Sequence, residues 1–121
     1  MPDGSIEDFR RRRAEGQARL SDTEHLGLKR FLRLDHDAYA DRADHGRLDG
    51  RTKELLGLVA SAVLRCDDCI VHHVEQCVRM GWTKDELEDA LNVALVVGGS
   101  ITIPHLRRAR VALDELLAED D

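Results

Sequence analysis

The stretch Cys66-Asp67-Asp68-Cys69-Ile70-Val71-His72-His73 gathers thiols, carboxylates and imidazoles into one short segment. Two thiols three residues apart in a helix share a face, close enough to make or break a disulfide with little backbone movement. The same CxxC spacing serves redox dithiols, zinc sites and haem attachment. Haem attachment requires a histidine directly after the second cysteine, and Ile70 stands there, so haem is excluded.

At about 100° per helical residue, Cys66, Cys69, Ile70, His73, Val74 and Cys77 fall on one stripe, while His72 is turned about a quarter-circle away beside Asp68, Glu75 and Arg79. His73 is expected to face inward with the thiols. Its spacing of four from Cys69 lets the imidazole reach that sulfur directly or through one water, as a base that removes a thiol proton must. The helix N-terminus favours thiolate and lowers a cysteine pKa below its ordinary value of about 8.5, whereas Asp67 and Asp68, if ionised close by, act in the opposite direction. Cys66 sits at the helix entrance, where an incoming reductant is expected to meet it first. Cys77 reads as a buried spectator thiol.

Glu54 lies twelve residues before Cys66, at the start of a nearly charge-free segment. A carboxylate entering such a segment needs a partner or must become protonated, and near His73 it could take a proton from the imidazole directly or through water. On spacing alone, Glu54 could equally complement the dipole of its own helix beside Lys53.

These residues need rigid helices to hold them, and the composition supplies them. Of 121 residues, 42% are hydrophobic and only Phe9, Phe31, Tyr39 and Trp82 are aromatic, so the core must be built from Leu, Val, Ala and Ile. Two prolines and no polar–apolar alternation predict an all-α fold, a single-domain bundle of about six helices over residues 1–121. Residues 1–48 form its N-terminal helices and residues 49–118 the core that carries the CxxC motif.

Residues 5–20 read as a first helix, with Glu7 and Asp8 in its first turn and the Arg10–Arg13 run as a solvated or subunit-contacting face. Ser21-Asp-Thr-Glu24 has the capping-box pattern and predicts a second helix over about 22–44, with Leu28, Phe31, Leu32 and Tyr39 at mostly helical spacing. Asp49 caps a segment without charge from Leu55 to Leu64, expected to be apolar nearly all round and central to the core. A further helix covers about 67–80, and Thr83-Lys-Asp-Glu86 forms a second capping box. After it, Leu87, Ala90, Leu91, Ala94 and Leu95 mark the clearest amphipathic helix. Gly98-Gly99 ends that helix, Ser100 or Thr102 caps a last one with Pro104 in its first turn, and Asp120-Asp121 is a frayed acidic tail.

Eighteen basic residues against 24 acidic ones leave a formal charge of −6, which argues against binding to nucleic acid. The longest uncharged run is too short to span a bilayer, and MPDGSIEDFRRRR lacks the apolar core of a secretory signal. A soluble, cytoplasmic protein without membrane contact is expected, and three cysteines in that compartment are poor candidates for structural staples.

Glu54, Cys66-x-x-Cys69 and His73 at these spacings, together with KELLGLVASAVLRCDDCIVHHVEQCVRMG and TKDELEDALNVALVVGG, resemble the alkylhydroperoxidase D branch of the carboxymuconolactone decarboxylase family. The resemblance covers about residues 30–115. It implies an all-helical fold assembled as a trimer or hexamer, with Cys69 as the peroxide-attacking thiolate, Cys66 as the resolving thiol, and His73 with Glu54 as the proton relay. It also implies a hydroperoxide or disulfide substrate, an external dithiol protein as reductant, and no organic cofactor or metal. The decarboxylase branch generally lacks the cysteine pair. With one copy of the helical unit, the apolar helix needs a neighbouring subunit to cover it.

Three other readings stay open. One is a metal-binding module with Cys66, Cys69, His73 and Cys77 as ligands, although one helix presents a flat row where zinc wants a tetrahedron. Another is a carboxymuconolactone decarboxylase-like lyase using His73 and Glu54 as acid and base with the thiols incidental. The last is a noncatalytic oligomeric scaffold, in which these side chains would be scattered.

Overall fold

The computed structural model describes residues 5–119, which form six α-helices and no strand. The acidic tail Asp120-Asp121 lies outside the described residues. The helices are α1 (Ile6–Ser21), α2 (Leu26–Ala38), α3 (Gly50–Leu64), α4 (Asp67–Arg79), α5 (Lys84–Gly98) and α6 (Ile103–Glu119), with short 3-10 turns at Ala43–His45 and Ser100–Thr102.

Most boundaries follow from side chains that satisfy the free N–H groups of a first turn. Ser5 Oγ accepts from the Asp8 amide (3.1 Å), and Asp49 Oδ1 accepts from the Thr52 amide (2.7 Å). Thr83 and Glu86 form the expected reciprocal box at 3.1 and 2.9 Å. Two expected caps do not form. Ser21 is still inside α1, and a residue with helical backbone cannot take the extended conformation of an N-cap. His25 caps α2 instead, its Nδ1 accepting from the Leu28 amide at 3.2 Å. The last helix has no Ser100 or Thr102 cap either, because the Thr102 hydroxyl donates to the Gly99 carbonyl at 2.8 Å inside the preceding turn.

Helix α2 is also shorter than the predicted 22–44. Asp41 accepts from the Ala43 and Gly50 amides at 2.9 and 3.0 Å, offering the backbone a turn in place of further helix. Gly46, with φ 73°, then reverses the chain toward α3.

The core lies where α3 packs on α4 and α5, and α4 packs on α6. Leu58 and Ala62 from α3, Ile70, Val74 and Cys77 from α4, Leu87 and Ala94 from α5, and Leu113 from α6 are buried there, with Ile6 and Phe9 of α1 closing one side. Burying a leucine such as Leu58 or Leu113 fully contributes about 2 kcal/mol each. Helix α3 is central on one face only: Leu56 and Leu64 point outward, 52% and 76% exposed. Helix α2 fully buries none of its side chains, and Phe31, one of its helically spaced apolar residues, is 65% exposed. Periodicity identifies an apolar face but not what covers it.

Candidate active site

The sequence Leu64-Arg65-Cys66 places the dithiol by making a sharp turn between two helices. Arg65 takes the left-handed conformation, φ 60°, and its amide bonds back to the Ser61 and Ala62 carbonyls at the end of α3. The Cys66 amide bonds to the Ser61 carbonyl at 3.1 Å, leaving Cys66 extended as the N-cap of α4. Its Sγ faces the Cys69 amide at 3.4 Å. Cys66 and Cys69 are joined as a disulfide with their Cα atoms 5.3 Å apart, as the spacing predicts for thiols on one face of a first turn. Access runs opposite to expectation: Cys69 is exposed and Cys66 half-buried, because the chain folds back on α3 at Cys66 whereas Cys69 turns outward on the first coil of α4.

Below the disulfide, His73 and Glu54 meet across the α3–α4 contact, both buried. His73 Nδ1–H donates to Glu54 Oε1 at 2.8 Å, so the carboxylate has the partner its burial demands. That bond directs Nε2 toward Tyr39, whose hydroxyl donates to it at 3.3 Å. Burial, with the Glu54 charge second, raises the Tyr39 pKa, which keeps that hydroxyl a donor. Gly57, one turn beyond Glu54, makes this approach possible. A Cβ there would stand 2.7 Å from His73 Cε1 and 2.9 Å from the Tyr39 oxygen, closer than side-chain carbons come.

Tyr39 and Gly57 are the site residues that sequence reading missed. Tyr39 looked like one more apolar position of a helix, and a glycine inside a helix carries no mark of the ring lying over it. The nearest signal for Gly57 was its cost to helix propensity, about 1 kcal/mol relative to alanine, which has to be compensated elsewhere.

His72, a quarter-circle from His73 by helical phase, does not stand in open solvent. It is half-buried, its ring centroid is 5.1 Å from that of His73, and it lines the same cavity as Cys69. The outer face of α4 is not solvent here, because α1 lies over it: Glu75, expected beside His72 on that face, is 5% exposed and paired with Arg10 and Arg79. Burial, with the Arg13 charge second, lowers the His72 pKa. The Arg10–Arg13 run is accordingly not one uniform surface. Arg10 bridges Glu75 to Glu119, and Arg13 lines the cavity.

That cavity, of about 800 Å³, is bounded by α1, α2, α4 and the start of α3, and Tyr39, Glu54, Cys69, His72 and His73 all contribute to its wall. Asp67 does not stand as a free charge next to Cys66. His105 Nδ1 lies 2.7 Å from one of its oxygens, and Arg108 pairs with the other. Asp68 is exposed. Cys77 lies fully buried in the core, where loss of solvent pushes its thiol up to about 12, as expected of a spectator.

A cysteine-based metal module is not assembled in this state, since two of its four ligands are bonded to each other and the third thiol, Cys77, is in the core. Among the described residues, the donors that do converge are Glu54, His72 and His73, with one ligand atom of each within 4.8 Å of the others.

An all-helical bundle that holds a dithiol at a helix N-terminus, with a buried histidine–carboxylate pair in the wall of the same cavity, is the architecture of a small helical dithiol protein. The chain belongs to the carboxymuconolactone decarboxylase family, whose sequence pattern matches residues 27–112. Its dithiol and the Glu54–His73 pair agree with the alkylhydroperoxidase D-like branch. Two crystal structures of a Thermotoga maritima family protein, named as a candidate participant in an antioxidative response, superpose closely. One is 49% identical, with a TM-score of 0.85 over 93% of this chain and 92% of the other, and the second is 47% identical, with a TM-score of 0.88 over 95% and 97%. A Legionella pneumophila family protein shares the fold at 24% identity, with a TM-score of 0.78 over 91% and 95% of the two chains. A protein of the cox locus of Paracoccus denitrificans is 31% identical over 84% of this chain and 91% of its own length. No helix among the described residues is long and apolar enough to cross a membrane.

Proposed function

We propose that the chain is a thiol-dependent peroxidase and disulfide reductase of the alkylhydroperoxidase type. The observation that carries this reading is the shared cavity: exposed Cys69, already bonded to Cys66, stands in the same wall as the buried His73–Glu54 pair.

In the reduced enzyme, His73 accepts the Cys69 proton directly or through water, and Glu54 balances the imidazolium that results. The thiolate attacks the terminal oxygen of a hydroperoxide. The O–O bond breaks, Cys69 becomes a sulfenic acid, and the alkoxide leaves as alcohol with the proton returned through His73. Cys66 thiol then displaces hydroxide from the sulfenic sulfur, giving the disulfide and water. An external dithiol protein restores the pair by exchange and is itself oxidised. No organic cofactor enters this cycle. The pairing of Asp67 with Arg108 and His105 supports thiolate formation, because it compensates the carboxylate that follows Cys66 in the chain.

The working form is a homo-oligomer, a trimer or hexamer, acting in the cytoplasm. The outward apolar side chains of α2 and α3, including Phe31, Leu34 and Leu64, support assembly, since a monomer would leave them in water. Free thiols titrated before and after one equivalent of cumene hydroperoxide, with peptide mapping, test the reading. Loss of two thiols per chain and a Cys66–Cys69 peptide are expected. Unchanged thiols would instead favour lyase chemistry at the same His73–Glu54 pair, which would survive loss of both cysteines.

A further inference from the structure

The wall of the cavity contains a half-buried imidazole, His72, for which thiol chemistry has no task. His72 takes no part in the His73–Glu54 or His73–Tyr39 hydrogen bonds, yet its ring is drawn in beside them. We propose that Glu54, His72 and His73 form a three-ligand site for a divalent transition-metal ion of the zinc class, open on its remaining side to the cavity that Cys69 lines.

The donor set decides the class of ion. Two imidazoles and one carboxylate suit zinc and its neighbours, whereas magnesium and calcium call for oxygen alone. Three protein ligands with one open position is also the composition of open zinc sites, rather than the closed four-ligand structural ones. The geometry is close to what such an ion needs. Donors around zinc stand about 3.3 Å apart when each bond is about 2.0–2.1 Å. Glu54 Oε1 and His73 Nδ1 are 2.8 Å apart across a hydrogen bond, and all three donors lie within 4.8 Å; an ion at Nδ1 displaces its proton to Nε2, where the Tyr39 oxygen, 3.3 Å away, turns from donor to acceptor. Binding requires Glu54 and His73 to part by about 0.5 Å and the half-buried His72 ring to turn toward them.

The consequence for activity rests on the peroxidase reading. An ion that takes the lone pair of His73 and the charge of Glu54 removes the proton relay, so zinc would inhibit reversibly and a chelator would restore the rate.

The binding test does not depend on turnover. Intact oxidised protein, whose disulfide keeps Cys66 and Cys69 from ligating, is titrated with zinc chloride by calorimetry and with cobalt chloride by visible absorption. The expected result is one saturable ion per chain and cobalt bands without sulfur charge transfer. His72→Gln should weaken binding by at least about tenfold, and His72→Asn should do the same in case one variant folds poorly. Cys77→Ala should bind as the native chain does. The proposal is overturned by absence of saturable binding to folded oxidised protein, or by His72 variants that bind as tightly as the native chain. Binding that appears only on reduction and is lost in Cys66→Ser would assign the ion to the dithiol instead. Zinc binding without any peroxide consumption would sustain the metal site and reject only the peroxidase reading.

Discussion

Glu54 and His73, nineteen residues apart in the chain, meet at 2.8 Å where α3 crosses α4, and both are more than nine-tenths buried. The polar contact between these helices and the proposed acid–base pair are therefore the same interaction. Its substitution should separate the two roles. Glu54→Gln keeps the shape and a hydrogen-bond acceptor but loses the charge that stabilises imidazolium. The rate of thiol oxidation by peroxide should fall by about a hundredfold, while thermal stability changes by about 1–2 kcal/mol. A variant that melts much earlier yet reacts normally in its folded fraction would make Glu54 structural.

Gly57→Ala should damage the site from behind. The added carbon meets His73 and Tyr39 at 2.7 and 2.9 Å, so the ring or hydroxyl must move. The gain in helix propensity of about 1 kcal/mol is opposed by overpacking of about 1–3 kcal/mol. Stability should change little, whereas peroxide-dependent oxidation should slow at least about tenfold through loss of geometry. Stopped-flow rates beside denaturant melts distinguish this from general unfolding.

Tyr39→Phe removes only the hydroxyl that donates to His73 Nε2. Peroxide consumption should fall a few-fold and its pH profile should shift, because the donor that occupies Nε2 is gone. The melting temperature should stay within a few degrees, as the hydrogen bond contributes about 1 kcal/mol. An unchanged pH profile would show that the hydroxyl does not tune the imidazole.

Cys77 predicts an alkaline signature. Burial pushes its pKa in the folded chain up to about 12, from 9.0 when exposed. Between those values the unfolded chain releases a proton that the folded chain retains, so this thiol lowers stability as pH rises from about 9 toward 12. Cys77→Ala should be less stable at neutral pH by about 1 kcal/mol but lose less stability on going to alkaline pH. Urea melts at neutral and alkaline pH measure both terms, and parallel curves would contradict the assignment.

The legible and illegible parts of this molecule differ in physical kind. Cys66, Cys69 and His73 were readable because they share one helix, where spacing alone fixes relative position. Glu54 was readable only as a charge entering an apolar segment, an anomaly that demands a partner. Tyr39 and Gly57 act through contacts between α2, α3 and α4, and no periodicity within one element reports such contacts. His72 and Glu75 were read only as lying a quarter-circle from the thiol stripe, because the helical wheel knows one helix and not that Arg10 of α1 reaches that face of α4 to pair with Glu75. The end of α2 was misread for a related reason: Asp41 reaches across to the Gly50 amide, and that bond outweighs the helix-forming residues on either side.

The central claim is that Cys69 attacks and Cys66 resolves, and trapping the first oxidised sulfur tests it most directly. Cys66→Ser and Cys69→Ser are each treated with one equivalent of hydroperoxide in the presence of a sulfenic-acid trap and examined by mass spectrometry. The account predicts one trapped adduct at Cys69 in Cys66→Ser and no adduct in Cys69→Ser, with Cys77 unmodified in both. A trapped adduct at Cys66 in the Cys69 variant, with none in the reciprocal variant, would contradict the assigned order of attack.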